Sequence, residues 1–255
     1  MFPKTAQYET DWINKYSLAG NPLMGAESLT QIIQLTPEMR VLDLGCGTGL
    51  TSVFLQREFG VNVWAVDNGA DLTKMYTLFK NEKVDKKAFP IRADARNLPF
   101  PEKYFDVIFA VNSYTYYGTD DRYLPYIARF LKPGGYLAVS DITVRNEIQT
   151  VAQIPECLKP YYSKCWCHVH TPAWWKAQWE KFQLFDVQCA ETLTDSSVLK
   201  EGYITYAKAK QEYDEFAQSI LKDKDDSIHF MRLIARRNDK PAYTEVYQNN
   251  VVVSK

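Results

Sequence analysis

The sequence has almost no excess of charge of either sign and no cluster of basic residues. Its 30 lysines and arginines are matched by 31 aspartates and glutamates, which leaves a formal net charge of −1. Proteins that hold a nucleic-acid backbone present a concentrated positive surface, so we expect no nucleic-acid partner. No apolar stretch approaches the roughly 20 residues that a membrane-spanning helix requires. We therefore expect no membrane partner either.

Cysteine is scarce and odd in number. The five cysteines show no framework spacing, which suits a reducing compartment better than a disulfide scaffold. Residues 1–10 lack a basic region followed by an apolar one, so no secretory signal is indicated. These absences lead us to expect a cytoplasmic protein. Its 255 residues are enough for one large α/β domain with its own core.

Only 11 glycines occur, yet three of them alternate within residues 41–49, which read VLDLGCGTG. The apolar first half of this stretch predicts a buried strand. The glycines predict a sharp turn against which a ligand can pack, since glycine has no Cβ and tolerates positive φ. Leu50, Val53 and Phe54 then recur at helical spacing, so a helix is predicted to begin near Thr48. A strand, a glycine turn and a helix place a ligand at a helix N-terminus.

The spacing of the glycines indicates which ligand the turn would take. A dinucleotide fingerprint, G-x-G-x-x-G, requires glycine at position 50, where this chain has Leu50. Asp43 precedes the turn and could meet a cation, while Asp67 ends the next apolar strand, residues 61–66, and could accept both hydrogen bonds of a ribose diol. S-adenosylmethionine has a ribose, an adenine and an ammonium group but no phosphate. The pattern therefore favours S-adenosylmethionine over NAD.

Residues 41–49 resemble motif I of the class I S-adenosylmethionine-dependent methyltransferases, and the similarity extends to about residue 142. The resemblance implies an enzyme of the small-molecule methyltransferase type, with S-adenosyl-L-methionine as cofactor and S-adenosyl-L-homocysteine as product. It also implies an α/β fold: a doubly wound, seven-stranded, mostly parallel sheet (the Rossmann-like methyltransferase fold) with an N-terminal helical lid and an inserted cap.

We expect a single methyltransferase domain over residues 1–255. Its parts would be an N-terminal helical lid (1–37), a cofactor-binding core (38–142), a cap insertion (143–183), the C-terminal part of the sheet with its helix (184–237) and a tail (238–255).

The resemblance also implies the cofactor contacts. Asp43 would bind the amino group of the methionine part, directly or through water, and the glycine turn would approach that part through its backbone. Asp67 would hold the ribose, Asp94 would hold the adenine amine, and Asn112 would line the transfer site. The predicted cofactor-binding residues of the core are Asp43, Gly45, Cys46, Gly47, Gly49, Asp67, Asn68, Asp94, Ala95 and Asn112.

Tyr8, Trp12 and Tyr16 recur at i, i+4 and i+8, which places three aromatic rings on one face of a helix. In similar methyltransferases a leading helical segment closes over the cofactor. We therefore include these three residues among the predicted cofactor-binding residues. The alternative is a helix whose aromatic face packs on the core.

Residues 112–118 follow the predicted strand 105–111, and ligands of parallel sheets lie beyond the carboxyl ends of the strands. The loop departs from the Asn/Asp-Pro-Pro-Tyr loop of enzymes that methylate exocyclic amines of bases or glutamine amides, which argues against DNA as substrate. Tyr116 is the candidate catalytic residue, because its phenol could orient a nucleophile and its ring could attract a cation. The alternative is a tyrosine that only shapes the pocket wall.

Aromatic residues crowd the predicted cap. Thr171 and Pro172 make a good helix start, after which Trp175, Trp179 and Phe182 share one face. An aromatic face over a sulfonium cofactor favours an apolar or cationic acceptor such as an amine. The alternative is a lid packed on the core or on a second subunit, which would make a homodimer.

The stretch Cys165 to His170 contains two cysteines and two histidines. On a strand the cysteines and the histidines would face opposite ways, and structural zinc sites usually use a wider cysteine spacing, so we predict no metal site. Adding Cys157 gives three thiols, which leaves a thiol or arsenite methyltransferase using Cys157, Cys165 and Cys167 as an alternative. A non-catalytic, cofactor-binding regulatory protein and an NAD-linked oxidoreductase are the further alternatives.

Three patterns complete the prediction. Asp121 would cap a helix reaching Leu131, and residues 132–135, KPGG, predict a turn before the strand 136–141. Apolar residues from Tyr206 to Ile220 recur at helical spacing and predict one continuous helix. Residues 227–236 resemble the last, antiparallel strand of the family's sheet.

Overall fold

A computed structural model describes residues 2–240. Within them a single seven-stranded sheet has the strand order β3-β2-β1-β4-β5-β7-β6. The first five strands in the chain pair in parallel, and β7 lies antiparallel to both β5 and β6. The strands are β1 (Arg40–Leu44), β2 (Asn62–Asp67), β3 (Ala88–Arg92), β4 (Phe105–Val111), β5 (Leu131–Val144), β6 (Phe185–Thr192) and β7 (Ile228–Arg237). The predicted mostly parallel, doubly wound sheet is confirmed.

The α-helices connect these strands. They are α1 (Thr10–Tyr16), α2 (Pro22–Thr30), α3 (Leu50–Phe59), α4 (Leu72–Asn81), α5 (Tyr123–Ala128), α6 (Pro172–Glu180), α7 (Ser196–Lys210) and α8 (Glu215–Lys222). No helix within residues 2–240 combines the length and the hydropathy needed to cross a membrane.

The strand order reverses at β1, which lies between β2 and β4. At such a switch point the loops that leave neighbouring strands diverge to opposite faces of the sheet, and a crevice opens beyond the carboxyl ends. The runs 41–44 and 107–110 are buried on both faces, as expected for central parallel strands. The sheet therefore directs any ligand to the ends of β1, β2 and β4.

Two expected local features differ in detail. The predicted KPGG turn lies inside the long β5, where Gly134 has a φ of +80° and the pairing with β4 shifts register between Phe105 and Val107. An irregularity of this kind bends a strand without ending it. The helix expected from Asp121 to Leu131 is the shorter α5, and Asp121 binds Gln178 and Lys181 instead of capping it.

The cap expected over residues 143–183 is divided. Its second part, α6, packs on the sheet as an ordinary connecting helix, with Trp175 and Trp179 fully buried. Its first part contains short irregular helices, among them a π-helix at Tyr162–Trp166. The tail predicted at 238–255 lies mostly outside the described residues.

The single helix expected from Tyr206 to Ile220 is two helices, α7 and α8. Gln211 adopts a left-handed conformation with a φ of +53° and ends α7. The buried face of α7 contains Leu199, Tyr203 and Ala207, whereas Ala209 and Tyr213 are exposed. The corner between α7 and α8 faces the carboxyl end of the sheet, where it borders a cavity.

Candidate functional site

The turn after β1 approaches its neighbours so closely that only glycine fits at its first position. Gly45 has a φ of +73°, and a Cβ on it would lie 2.5 Å from the Cβ of Ser113. The backbone N–H groups of Gly45 and Cys46 donate to the carbonyl of Val66 at 2.8 and 3.1 Å. The turn is thus bound to β2 before α3 begins at Leu50.

Asp67, the last residue of β2, orients its carboxylate toward this turn. Its Oδ2 accepts a hydrogen bond from the Gly47 N–H at 3.0 Å, and its Oδ1 accepts one from the Gly69 N–H at 2.8 Å. A carboxylate has about four acceptor positions, so two backbone hydrogen bonds leave capacity for a ligand. The carboxylate is therefore both held in place and able to bind.

A cavity of about 670 Å³ lies beyond these strand ends. Its size suits a cofactor together with a small acceptor. The structure places most of the predicted residues on its wall. These are Gly45, Cys46, Gly47, Asp67, Asn68, Asp94, Ala95, Asn112 and Tyr116.

Arg96 is a wall residue that the sequence analysis missed. Its backbone N–H donates to Asp94 Oδ1 at 2.8 Å, and its Nη2 donates to the carbonyl of Tyr116 at 2.9 Å. The guanidinium therefore ties the loop after β3 to the loop after β4. A single arginine in a loop carries no periodic signal that could have indicated this role.

Asp43 does not reach the cavity wall, so the direct contact with the cofactor is ruled out and only a mediated one is left. It is 1 % exposed, and its Oδ2 accepts hydrogen bonds from Thr51 Oγ1 and Ser52 Oγ, both at 2.6 Å. Burial, supported by the nearby charge of Asp67 and opposed by the two hydroxyls, raises the pKa of Asp43 to about 6. Thr51 does line the cavity. Asp43 can therefore act on a ligand only through an intermediary such as the Thr51 hydroxyl.

Gly49, predicted to bind the cofactor, does not line the cavity either. It precedes α3 with a φ of +89°, and a Cβ on it would lie 2.7 Å from Cε1 of Phe79. Its surroundings are Phe79 and Met75 of α4, not the cavity. Gly49 therefore allows α3 and α4 to approach each other and does not form part of the wall.

The predicted cofactor contact of Tyr8, Trp12 and Tyr16 is also corrected, because their rings pack on the core helices. Tyr8 Oη donates to Glu58 at 3.0 Å and Trp12 Nε1 donates to Glu82 at 2.8 Å. Successive rings along this face lie 5.5 and 5.8 Å apart. The alternative interpretation, a helix packed on the core, describes these rings.

The segment after α1 takes the place that the aromatic face was expected to occupy. Ser17, Leu18 and Ala19 line the cavity. A Cβ on Gly47 would lie 3.0 Å from Leu18 Cδ1, and Thr48 Oγ1 donates to the carbonyl of Tyr16. This segment is held directly over the glycine turn.

The other end of the cavity is aromatic and acidic. It is formed by Tyr116 and by residues from α7 and the start of α8. Those residues are Tyr203, Asp214, Glu215 and Phe216. Tyr116 is 54 % exposed, yet partial desolvation, together with Asp141 and other acidic neighbours, raises the pKa of Tyr116 to about 12. The sequence analysis did not identify Tyr203 or Asp214, because the pattern there predicted only a packing stripe.

No residue of the cysteine- and histidine-rich stretch lines this cavity, although the ring of His168 packs on that of Tyr116, with centroids 5.1 Å apart. The thiol of Cys165 donates to the carbonyl of Tyr161 at 3.5 Å, and the thiol of Cys157 donates to Asp223 at 3.8 Å. His170 Nδ1 lies 2.7 Å from Glu147 Oε1. Among residues 2–240 no three metal-ligating side chains come together. The stretch is helical and turn-like.

Trp175 and Trp179 also lie away from the cavity wall. Their rings contact the buried ring of Tyr114, with centroids 5.4 and 5.7 Å away. The two tryptophans pack against the loop after β4, so their role is structural.

Known proteins share this architecture. Residues 41–135 match the family model of a methyltransferase domain. The chain is 33 % identical over 132 residues to the methyltransferase GfsG of Streptomyces halstedii, covering 49 % of this chain and 46 % of that protein. It is 32 % identical over 141 residues to a fatty-acid O-methyltransferase of Mycolicibacterium smegmatis, covering 55 % of this chain and 48 % of that protein. The chain thus spans about half the length of these curated relatives.

A solved structure extends the likeness to the whole sheet. Geranyl diphosphate C-methyltransferase from Streptomyces coelicolor A3(2), in complex with Mg²⁺, geranyl diphosphate and S-adenosyl-L-homocysteine, superposes with a TM-score of 0.66 at 17 % sequence identity. The superposition covers 85 % of this chain and 79 % of that one. Taken with the glycine turn and the strand order, these matches show that residues 41–135 are similar to a methyltransferase domain and that the chain has the fold of this solved methyltransferase.

Proposed function

We propose that this protein transfers a methyl group from S-adenosyl-L-methionine to a small-molecule acceptor, leaving S-adenosyl-L-homocysteine. One observation carries the proposal. A single cavity joins the glycine turn and the carboxylates at the ends of β2 and β3 to an aromatic, acidic end under α7 and α8. Bound cofactor supplies an activated methyl group, and the two ends of one cavity allow donor and acceptor to meet.

The residues present fit this cofactor. The methionine part would lie along the closely packed backbone at Gly45 and Gly47. The Asp67 carboxylate would accept hydrogen bonds from the ribose hydroxyls, and Asp94 would face the adenine amine. Asn68, Ala95 and Asn112 would complete the wall. A dinucleotide fits less well because position 50 is Leu50, where the pyrophosphate-binding fingerprint has glycine.

Asp43 fits as an indirect partner of the cofactor's ammonium group. The hydroxyl of Thr51 donates its proton to Asp43, so its oxygen keeps lone pairs free to accept a hydrogen bond from the cavity side. The negative charge behind Thr51 strengthens such a hydrogen bond. Asp43 therefore acts through Thr51, which is an indirect contact mediated by a hydroxyl and not by water.

The acceptor end favours an amine. Tyr116 and Phe216 offer aromatic rings that attract cations, and Asp214 offers a carboxylate. Glu215 is already paired with Lys164, which leaves Asp214 as the better partner for a positive group. A fatty acid would bring a second carboxylate beside Asp214, and like charges disfavour that arrangement.

The chemistry asks little of the protein beyond positioning. Displacement at an activated methyl carbon needs the nucleophile aligned and water excluded. Because its pKa is raised to about 12, Tyr116 stays protonated at neutral pH and would orient the acceptor without removing its proton. Asp214, on the wall of the same cavity, would receive that proton or pass it to water.

The direct test is transfer of an isotopically labelled methyl group. Labelled S-adenosylmethionine is incubated with the protein and a metabolite extract split by ion exchange into basic, neutral and acidic fractions, and products are identified by mass spectrometry. We expect label in the basic fraction and none with Asp67→Ala. Label in the acidic fraction alone would overturn the amine acceptor. Cofactor binding without any label would favour the regulatory alternative.

The homodimer expected from the sequence stays a prediction, as does the absence of a nucleic-acid partner. Light scattering coupled to size-exclusion chromatography would measure the first, and a gel-shift assay with duplex DNA would test the second.

A further inference from the structure

Tyr203 has an unusual position in α7, since it is buried and yet reaches two cavities. It is 7 % exposed and lines both the large cavity and a neighbouring one of about 100 Å³. One side of its ring packs on Phe230, with centroids 5.7 Å apart. Another side closes over Gly20, where a Cβ would lie 2.5 Å from Cδ2 of the ring. The ring is therefore firmly held at the acceptor end.

The hydroxyl of Tyr203 makes no hydrogen bond to any side chain or backbone group within residues 2–240. The oxygen is not among the fully buried side-chain atoms that lack a hydrogen-bond partner, so it opens onto a cavity that Tyr203 lines. Its partner there is water or a group of a bound ligand. Phe230 and Gly20 occupy the other sides of the ring, which leaves the cavity as the place for a ligand.

Two further features mark this hydroxyl as part of the acceptor end. Burial, with the nearby charges of Asp141 and Asp214 and the phenol of Tyr116, raises the pKa of Tyr203 well above its usual range. The group therefore stays protonated at neutral pH. Tyr116 lies on the wall of the same cavity and is protonated for a similar reason.

We propose that Tyr203 is a second acceptor-binding residue, whose hydroxyl works with that of Tyr116 to hold the N–H groups of an amine acceptor. This inference rests on the proposed methyl transfer and names how the acceptor is held. Each phenol oxygen accepts one N–H, which leaves the nitrogen lone pair pointing toward the methyl group. A primary amine satisfies both phenols, whereas a secondary amine satisfies only one.

The step balances without any further reactant. An acceptor that binds as an ammonium ion first releases one proton to water, and the freed nitrogen lone pair then forms the new N–C bond while the C–S bond breaks and its electron pair remains on sulfur. The product is an ammonium ion, which loses its extra proton to Asp214 or to water. Because the monomethylated product has lost one N–H, it binds the two phenols less well, and we expect single methylation to dominate.

The test compares Tyr203→Phe, Tyr116→Phe and the double variant with the wild type. Phenylalanine keeps the ring against Phe230 and Gly20 and removes only the hydroxyl. We expect Tyr203→Phe to lower kcat/KM for label transfer to the basic fraction about tenfold, the loss of one hydrogen bond, with affinity for S-adenosylhomocysteine and Tm unchanged. The effects of the two single variants should not add in the double variant, since both hold the same group.

Tyr76→Phe is the matched control, because Tyr76 is an exposed tyrosine of α4 whose ring contacts Lys80. It should leave label transfer unchanged. Tyr203→Phe with wild-type kcat/KM and an unchanged ratio of mono- to dimethylated product would overturn the role of Tyr203 alone. Absence of label with the wild-type protein would overturn the proposed function and the role of Tyr203 together, so the two failures are distinguishable.

Discussion

The carboxylate of Asp67 accepts a hydrogen bond from the backbone N–H of Gly47 at 3.0 Å. The acid that ends β2 therefore holds the turn that ends β1. Its second oxygen accepts the N–H of Gly69 at 2.8 Å. One side chain thus fixes the shape of the glycine turn and, on its free side, presents acceptors to the cavity.

Substitutions at Asp67 should distinguish its two roles, which are to hold the glycine turn and to bind the cofactor. In Asp67→Asn one oxygen becomes an NH₂ group that would face a backbone N–H donor, so we expect affinity for S-adenosylhomocysteine to fall about 10- to 100-fold, as for a lost charged hydrogen bond. Asp67→Ala should abolish measurable binding. Isothermal titration calorimetry measures both, with Asp186→Asn, an exposed residue of β6, as control. Tight binding by Asp67→Ala would refute the ribose assignment.

The turn should tolerate no side chain at Gly45. Gly45→Ala would place a Cβ 2.5 Å from Ser113 at a positive φ, and Ser113 cannot withdraw easily because its Oγ donates to the carbonyl of Leu44 at 2.8 Å. We expect a loss of about 1–3 kcal/mol in the free energy of unfolding together with loss of cofactor binding. Urea unfolding measures the first effect.

Gly202→Ala provides the comparison for Gly45→Ala. Gly202 lies inside α7, and a Cβ there would come no closer than 3.5 Å to a neighbouring atom. Since alanine favours a helix interior by about 1 kcal/mol over glycine, the midpoint of unfolding should rise or stay the same. Equal destabilisation by both substitutions would contradict the steric account.

The buried carboxyl of Asp43 should make stability depend on pH. Its pKa is about 6 in the folded chain against an ordinary value of 3.8. Between these values the folded chain keeps a proton that the unfolded chain has released, so the free energy of unfolding falls as pH rises through that window. The cost, about 3 kcal/mol, is fully present above pH 6.

Asp43→Asn should remove that part of the pH dependence. Asparagine cannot ionise, and its oxygen can still accept from Thr51 and Ser52. We expect the variant to lose less stability than the wild type between pH 4.5 and pH 7.5, and to be more stable at pH 7.5. Urea unfolding at both pH values measures the difference. Identical pH profiles for the two proteins would contradict the role of Asp43, since Asp141 and other groups contribute equally to both.

Asp214 should matter for the acceptor and not for the cofactor. It caps α8 by accepting from the Ala217 N–H at 2.8 Å, and asparagine is an equally good cap. Asp214→Asn therefore removes the charge and keeps the helix. We expect KM for the basic-fraction acceptor to rise about tenfold with affinity for S-adenosylhomocysteine unchanged.

Asp71→Asn is the matched control, because Asp71 caps α4 in the same way and does not line the cavity. Steady-state kinetics of label transfer compare the two variants. A rise in KM with both, or with neither, would count against a cation at Asp214.

Cysteine should be dispensable for methyl transfer. Cys157 and Cys165 are buried with separate hydrogen-bond acceptors, while Cys167 is exposed. We expect a variant with serine at all three positions to keep at least about half of the wild-type rate, because their thiols do not line the cavity. Complete loss of label transfer with S-adenosylhomocysteine binding intact would favour the thiol or arsenite alternative.

Much of this protein was determined by short stretches of sequence. The strand at 105–111, the Thr171–Pro172 helix start and the glycine turn were predicted in place, because each depends on a local pattern of burial, capping or backbone freedom. Asp67 is expected at the ligand end because it ends a parallel strand, and Asp94 because the resemblance to the methyltransferases implies an acid at its position. The carboxyl ends of parallel strands meet at one edge of a sheet, which brings the two residues to the same cavity.

Only the tertiary structure decided what amphipathic faces pack against. Periodicity shows that Tyr8, Trp12 and Tyr16 share a face, and the packing of α3 and α4 makes that face structural. The same limit applies to α7 and α8, where the left-handed Gln211 divides an apparent single stripe and turns Tyr203 and Asp214 to the cavity. A hydrophobic pattern specifies that a surface is covered, and the identity of the covering surface follows only from how all the elements pack together.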